Sequence, residues 1–147
     1  MTEPVLVIGY GNELRRDDGA GPAVARALDS QGDPRIVARA VHQLTPELAQ
    51  ELADAKGAIF VDAAPAQEVV CRPIPNTHAP SARGHVSDPA WLLELTAIAF
   101  RRRPPSWLIT VPAEDFAFGT QLSARTSRGV DNAVAIARTL INSFFNN

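Results

Sequence analysis

Apolar runs that are continuous rather than alternating recur along the chain and set its framework. Val5-Leu-Val-Ile8, stopped by Gly9 and Gly11, reads as a strand covered on both faces. Gly19 to Leu28 carries Val24, Ala25, Ala27 and Leu28 at roughly helical spacing, and Ser30-Gln-Gly-Asp-Pro34 ends that helix with turn chemistry. Arg35 to His42 is a second strand. A cap candidate, Thr45, precedes a proline at the first helical position, which predicts a helix from Pro46 to Ala55 with Leu48 and Leu52 on one face. Ala58-Ile-Phe-Val-Asp62 is again a buried strand, now ending in a lone carboxylate. Glu68 to Pro73 is a strand whose prolines at 73 and 75 suit a sheet edge. Ser87 is placed to cap a helix in which Asp88 and Pro89 fill the first turn and Trp91, Leu92, Leu95 and Ile98 form an apolar stripe. Trp107 to Pro112 is the last buried strand. Leu122 to Phe145 closes the chain as an amphipathic helix through Val130, Val134, Ile136, Ala137, Leu140, Ile141 and Phe144. Strands alternating with helices predict the α/β class, as a three-layer α/β/α sandwich with a mainly parallel twisted sheet of about five strands. The length, 147 residues, predicts one domain over 1–147.

The turn after the first strand carries the most distinctive chemistry. Gly9-Tyr-Gly-Asn12 leads into the adjacent pair Asp17-Asp18 at the mouth of a helix. A dinucleotide-binding turn would need a third glycine where Leu14 stands. It would also need a helix N-terminus free of negative charge, whereas two carboxylates repel phosphate and attract a cation. Gly9, Gly11 and Asn12 therefore shape the turn of a cation site. The plainer alternative is that Asp17 caps the helix and Asp18 complements its dipole.

Asp62 repeats the theme at the carboxyl end of another buried strand, and His85 stands in the polar loop just before the Trp91 helix. A parallel sheet gathers site residues at that edge. Asp18, Asp62 and His85 together offer two carboxylates and one imidazole, a set suited to a borderline divalent metal such as nickel, zinc or iron. His42 and His78 compete for the third place, and His85 is preferred because it abuts a helix.

Composition narrows the function further. A net charge of -2 does not supply the basic surface that nucleic acid requires, and Arg101-Arg102-Arg103 reads as a solvated helix end. With Cys71 alone no intrachain disulfide forms, and its place in the apolar run Val69-Val70-Cys71 makes it an inert hydrophobe. The first residues lack the basic and apolar regions of a signal peptide, and no run reaches the length of a membrane span, so a soluble cytoplasmic protein is expected. Neither a GxSxG elbow nor an HExxH or CxxC arrangement is present, and Ser81 and Ser123 have no activating context.

Gly9-Tyr-Gly-Asn-Glu-Leu-Arg-Arg-Asp-Asp-Gly-Ala-Gly21 resembles the opening motif, GxGNxLxxDD/EGxG, of the hydrogenase maturation proteases. Phe60-Val-Asp-Ala63 is similar to that family's second motif, and His85 with Asp88-Pro89 and Leu92-Leu93 to its histidine motif. The tail Val111 to Ser123 is similar to its closing segment. The second acidic position of the opening motif is often glutamate in the family and is aspartate here. Gln43 to Ala49 and the His-x-x-Asp-Pro pattern look more like the branch serving soluble, NAD-linked or bidirectional hydrogenases.

The resemblance implies an endopeptidase that removes the C-terminal extension of a nickel-iron hydrogenase large-subunit precursor after nickel insertion. Asp18, Asp62 and His85 would contact nickel carried by the substrate, with zinc or cadmium able to stand in for it in a crystal. The metal would polarise the scissile carbonyl or activate water, Asp17 being a candidate base if it is not a cap. A monomer is expected, with the precursor as partner and neither nucleic acid nor membrane. Two alternatives are a non-cleaving metal-dependent binding or chaperone module for the same precursor, and a nucleotide-binding enzyme.

Overall fold

The computed structural model describes residues 3–76 and 88–146. A five-stranded sheet carries the fold, from β1 (Val5–Tyr10), β2 (Ile36–Val41), β3 (Gly57–Ala64), β4 (Val70–Pro73) and β5 (Ser106–Pro112) in the order β2-β1-β3-β5-β4. All neighbours pair in parallel except β4, which runs antiparallel to β5 at the edge. That edge place agrees with Pro73 and its missing donor. The first strand outruns its expected end at Ile8, because Gly9 and Tyr10 continue the ladder opposite Ala40 and Val41 of β2.

Among the described residues four α-helices cover the two faces: α1 (Ala20–Ser30), α2 (Leu48–Ala53), α3 (Pro89–Phe100) and α4 (Ala124–Phe145). Alternate residues of the central strands divide the core. Val5, Val7, Ile59, Val61, Ile109 and Val111 pack with α1 and α4, while Leu6, Ile8, Tyr10 and Phe60 pack with α2 and α3. The α/β/α sandwich is therefore present. A strand filled on both faces has no polar side to show, which is why the runs in β1 and β3 are unbroken.

Three helices differ in detail from expectation. The second is shorter, since Leu48 and Ala49 still donate to Thr45 and Pro46 in turns and the α-helix begins only at Leu48. In α3 the cap is Asp88, whose side chain accepts from the Ala90 amide at 2.9 Å; Ser87 lies outside the described residues. Its buried face carries Leu92, Leu93 and Thr96, and Ile98 is 72% exposed. The helix is apolar on most sides, so periodicity could not choose its inward face. The closing helix starts after a Ser123 cap, and Ala133 joins Val130, Ala137 and Ile141 as its innermost residues. Among the described residues no helix is long and apolar enough to cross a membrane.

Two glycines bring α1 against the sheet. A Cβ at Gly9 would strike the Gly21 carbonyl, and one at Gly21 would strike the carbonyls of Val61 and Tyr10. The start of α1 thus lies directly on β1 and β3, and no side chain fits between. Gly21→Ala is expected to lose about 3 kcal/mol or more of stability, because backbone atoms cannot yield as side chains do. Chemical denaturation checks this; an unchanged midpoint would contradict the packing.

Candidate functional site

The carboxyl ends of β1 and β3 and the start of α1 form one edge, and the acidic turn lies along it. Gly11 has φ +148, and a Cβ there would collide with the Asp18 carbonyl, so the turn requires glycine on both counts. Asn12 closes the turn twice. Its side-chain oxygen accepts from the Leu14 amide at 2.9 Å, and its own amide donates to Asp18 Oδ2 at 2.7 Å. These bonds aim the Asp18 carboxylate back over the Gly9–Asn12 turn.

Asp17 points the other way, into the protein, and is fully buried. Its Oδ2 accepts from the amides of Glu114 and Asp115, each at 3.0 Å, and from Ser123 Oγ at 2.8 Å. Its Oδ1 accepts from the Ser123 amide at 2.7 Å. Burial alone would push its pKa up, but the donors at Ser123 and Glu114 outweigh it and pull the value down to about 2. Neither the short 3-10 turn Arg16–Gly19 nor α1 has a side-chain cap bond, so capping accounts for neither aspartate. Arg16, just before the pair, adopts a left-handed φ of 42. That conformation costs a non-glycine residue about 1 kcal/mol. It is held by the Arg16 amide on the Gly119 carbonyl at 2.9 Å and by an ion pair to Asp115 at 2.8 Å.

Asp62 lies near the carboxyl end of β3, opposite Thr110 of β5, and is mostly buried. Its Oδ1 accepts from the Ala63 amide at 2.8 Å. Burial raises its pKa to about 6; the Ala63 amide opposes the rise, the negative charge of Asp18 adds to it, and a bond from the Tyr10 hydroxyl opposes it. Asp18 and Asp62 thus lie within electrostatic reach, two carboxylates of which one is held in an environment that disfavours its charge. A cation would relieve both the burial and the repulsion. Tyr10 is itself pushed up, first by burial and then by Asp62 and Asp88.

His85 and His78 lie outside the described residues, whereas His42 is exposed just past β2. Among the described residues no three His, Cys, Asp or Glu side chains gather closely enough to hold a metal by themselves. Cys71 is half-buried on β4, its thiol pushed up by burial, in keeping with an inert side chain. The residues not anticipated are Tyr10 and Ser123. A hydroxyl inside a doubly buried strand needs a partner, so Tyr10 was open to inference. Ser123 carries no local signal, because its partner lies 106 positions away.

Neither a family model nor a curated protein sequence matches the chain. Solved structures do. The [NiFe] hydrogenase maturation protease HybD from Thermococcus kodakarensis is 25% identical, with TM-score 0.69 over 94% of this chain and 99% of that one. The hydrogenase 2 maturation peptidase from Thaumarchaeota archaeon SCGC_AB-539-E09 superposes with TM-score 0.72 at 22% identity, covering 95% and 99% of the two chains. The hydrogenase maturating endopeptidase HybD from E. coli gives TM-score 0.70 at 18% identity, over 95% and 93%. At those last two identities the likeness is one of fold. Across nearly its whole length, from the glycine turn through the closing helix, this chain resembles the hydrogenase maturation proteases.

Proposed function

We propose that the protein is an endopeptidase that removes the C-terminal extension of a nickel-iron hydrogenase large-subunit precursor once nickel has been inserted. The observation that carries this reading is the pairing of Asp18 and Asp62 at the carboxyl edge of a sheet whose fold matches named maturation proteases. A mostly buried carboxylate beside a second one suits a site completed by a cation arriving with its substrate. Nickel is then cargo of the precursor. Asp18 and Asp62, with His85 ahead of α3 in the sequence, recognise it and so fix the scissile bond close by. The metal supplies Lewis acidity toward the carbonyl or the attacking water.

Asp17 receives a different role from the candidate base of the sequence reading. A carboxylate saturated by four donors and lowered to about 2 is a weak proton acceptor at neutral pH. It serves as the fastener between the acidic turn and the Glu114–Ser123 segment. Cleavage conditional on metal makes the enzyme a checkpoint for completed metallation.

Incubation with nickel-loaded precursor, followed by mass spectrometry, tests the proposal. Loss of the C-terminal extension from loaded precursor, and none from nickel-free precursor, is the expected result. No mass loss, or equal loss from both, would overturn it.

A further inference from the structure

Beside Asp18 the molecule carries an apolar tip that the proposed chemistry does not use. Leu14 is 53% exposed, Phe118 86% and Phe116 36%, on two segments far apart in sequence. The segments are joined firmly. Arg16 donates to the Gly119 carbonyl at 2.9 Å, and Gly119 donates to the Leu14 carbonyl at 2.8 Å. The Asp17 amide donates to the Asp115 carbonyl at 2.9 Å, below the four bonds that its carboxylate accepts. Arg15 reaches the Phe116 carbonyl at 3.3 Å and lies over the Phe116 ring at 5.9 Å from its centre.

Two charge pairs close within the chain beside this tip, Glu13 with Arg26 at 2.8 Å and Arg16 with Asp115 at 2.8 Å, while Arg15 lies over the Phe116 ring. Leu14 and Phe118 project from backbone held by these bonds, a condition under which an aromatic contributes strongly to association. Exposed Phe and Leu gathered on a pinned loop mark an interaction surface. The tip is continuous with the acidic site, since Leu14 follows Asn12, whose amide holds Asp18. A protein that presents a metal to Asp18 therefore meets this tip within the same turn.

We infer that Leu14, Phe116 and Phe118 form a docking surface for the metal-bearing precursor, gripping an apolar patch beside its metal centre. This inference rests on the processing function proposed above and names where the same partner is held. Ile98, 72% exposed on α3, provides a control. It lies toward the other end of the sheet, where Arg102 just beyond α3 pairs with Glu3 ahead of β1.

Titration calorimetry of the full chain with nickel-loaded precursor tests the docking surface apart from cleavage. Phe118→Asp and Leu14→Asp are each expected to weaken binding at least ~10-fold, while Ile98→Asp binds as wild type does. Both tip side chains are solvent-exposed, so thermal unfolding should be unchanged, and a shifted Tm would mark a folding effect to be separated by the milder Phe118→Ala. Binding by Phe118→Asp and Leu14→Asp at wild-type strength overturns the docking surface alone. Tight binding by wild type with no product in the same mixtures overturns the processing function and leaves the surface standing. No binding by wild type overturns both.

Discussion

Asp62→Asn is expected to abolish release of the precursor's extension while leaving the folded protein more stable at neutral pH. Under the proposed function Asp62 is a charged ligand of the substrate's metal, and its loss should lower the processing rate at least ~10²-fold. The stability gain follows from the raised pKa of about 6 against an ordinary 3.8. A folded state that binds the proton more tightly is favoured at low pH, and that advantage disappears as pH rises from about 4 through 6. Above pH 6 the folded protein therefore carries an unfavourable charge at Asp62. Neutral asparagine keeps an oxygen for the Ala63 amide without that charge, for a gain of about 1–3 kcal/mol at pH 8. The difference should vanish below about pH 4. Denaturation midpoints across pH, read beside cleavage rates, check both halves; a destabilised variant at pH 8 would mean that burial does not burden this carboxylate. Asp18→Ala should lose cleavage to a similar extent.

Asp17→Ala carries the opposite sign and the larger effect on stability. Removing its carboxylate leaves the amides of Glu114, Asp115 and Ser123 without their acceptor in a fully buried place. Three stranded donors should cost about 3–5 kcal/mol. The Ser123 hydroxyl, which caps α4 by accepting from Thr126, loses one of its two acceptors and keeps only Thr126 Oγ1. Because the folded pKa of Asp17 is depressed to about 2, its stabilisation is present above about pH 4 and is lost as pH falls toward 2. That difference corresponds to on the order of 2 kcal/mol. Unfolding of wild type and Asp17→Ala at pH 7 and pH 2.5 measures it. The gap between them should narrow at the lower pH, and a constant gap would show that the charge of Asp17 does not matter. Two aspartates of one site thus impart opposite pH slopes, set by donors around one and burial around the other.

Much of the fold could be read along the chain because its evidence is local. The runs Val5–Ile8 and Ala58–Val61 are covered on both faces and so are apolar without interruption, and Pro73 marks an edge by the donor it lacks. The failures were also physical. Ile98 was expected inside and lies outside, because α3 offers apolar side chains on most of its circumference and only the sheet decides which of them are covered. Ala133 adds little to a periodic signal because alanine is small, yet it is fully buried where α4 meets the sheet.

The sequence by itself determined the layered α/β class, the strand ends at which carboxylates appear, and the glycines of the acidic turn, since each follows from neighbours a few positions apart. It also carried the negative charge of that turn, which disfavours phosphate. Only the tertiary structure decided what each of the pair does. Adjacent side chains diverge, and the direction of this divergence is set by donors 97 to 106 positions away, at Glu114, Asp115 and Ser123, which draw Asp17 inward. Asp18 is left at the edge, held by the Asn12 amide and within the field of Asp62. The pinned tip of Leu14, Phe116 and Phe118 is likewise a product of the fold, since two loops about a hundred residues apart are joined there by the backbone bonds to Gly119 and the donors on Asp17.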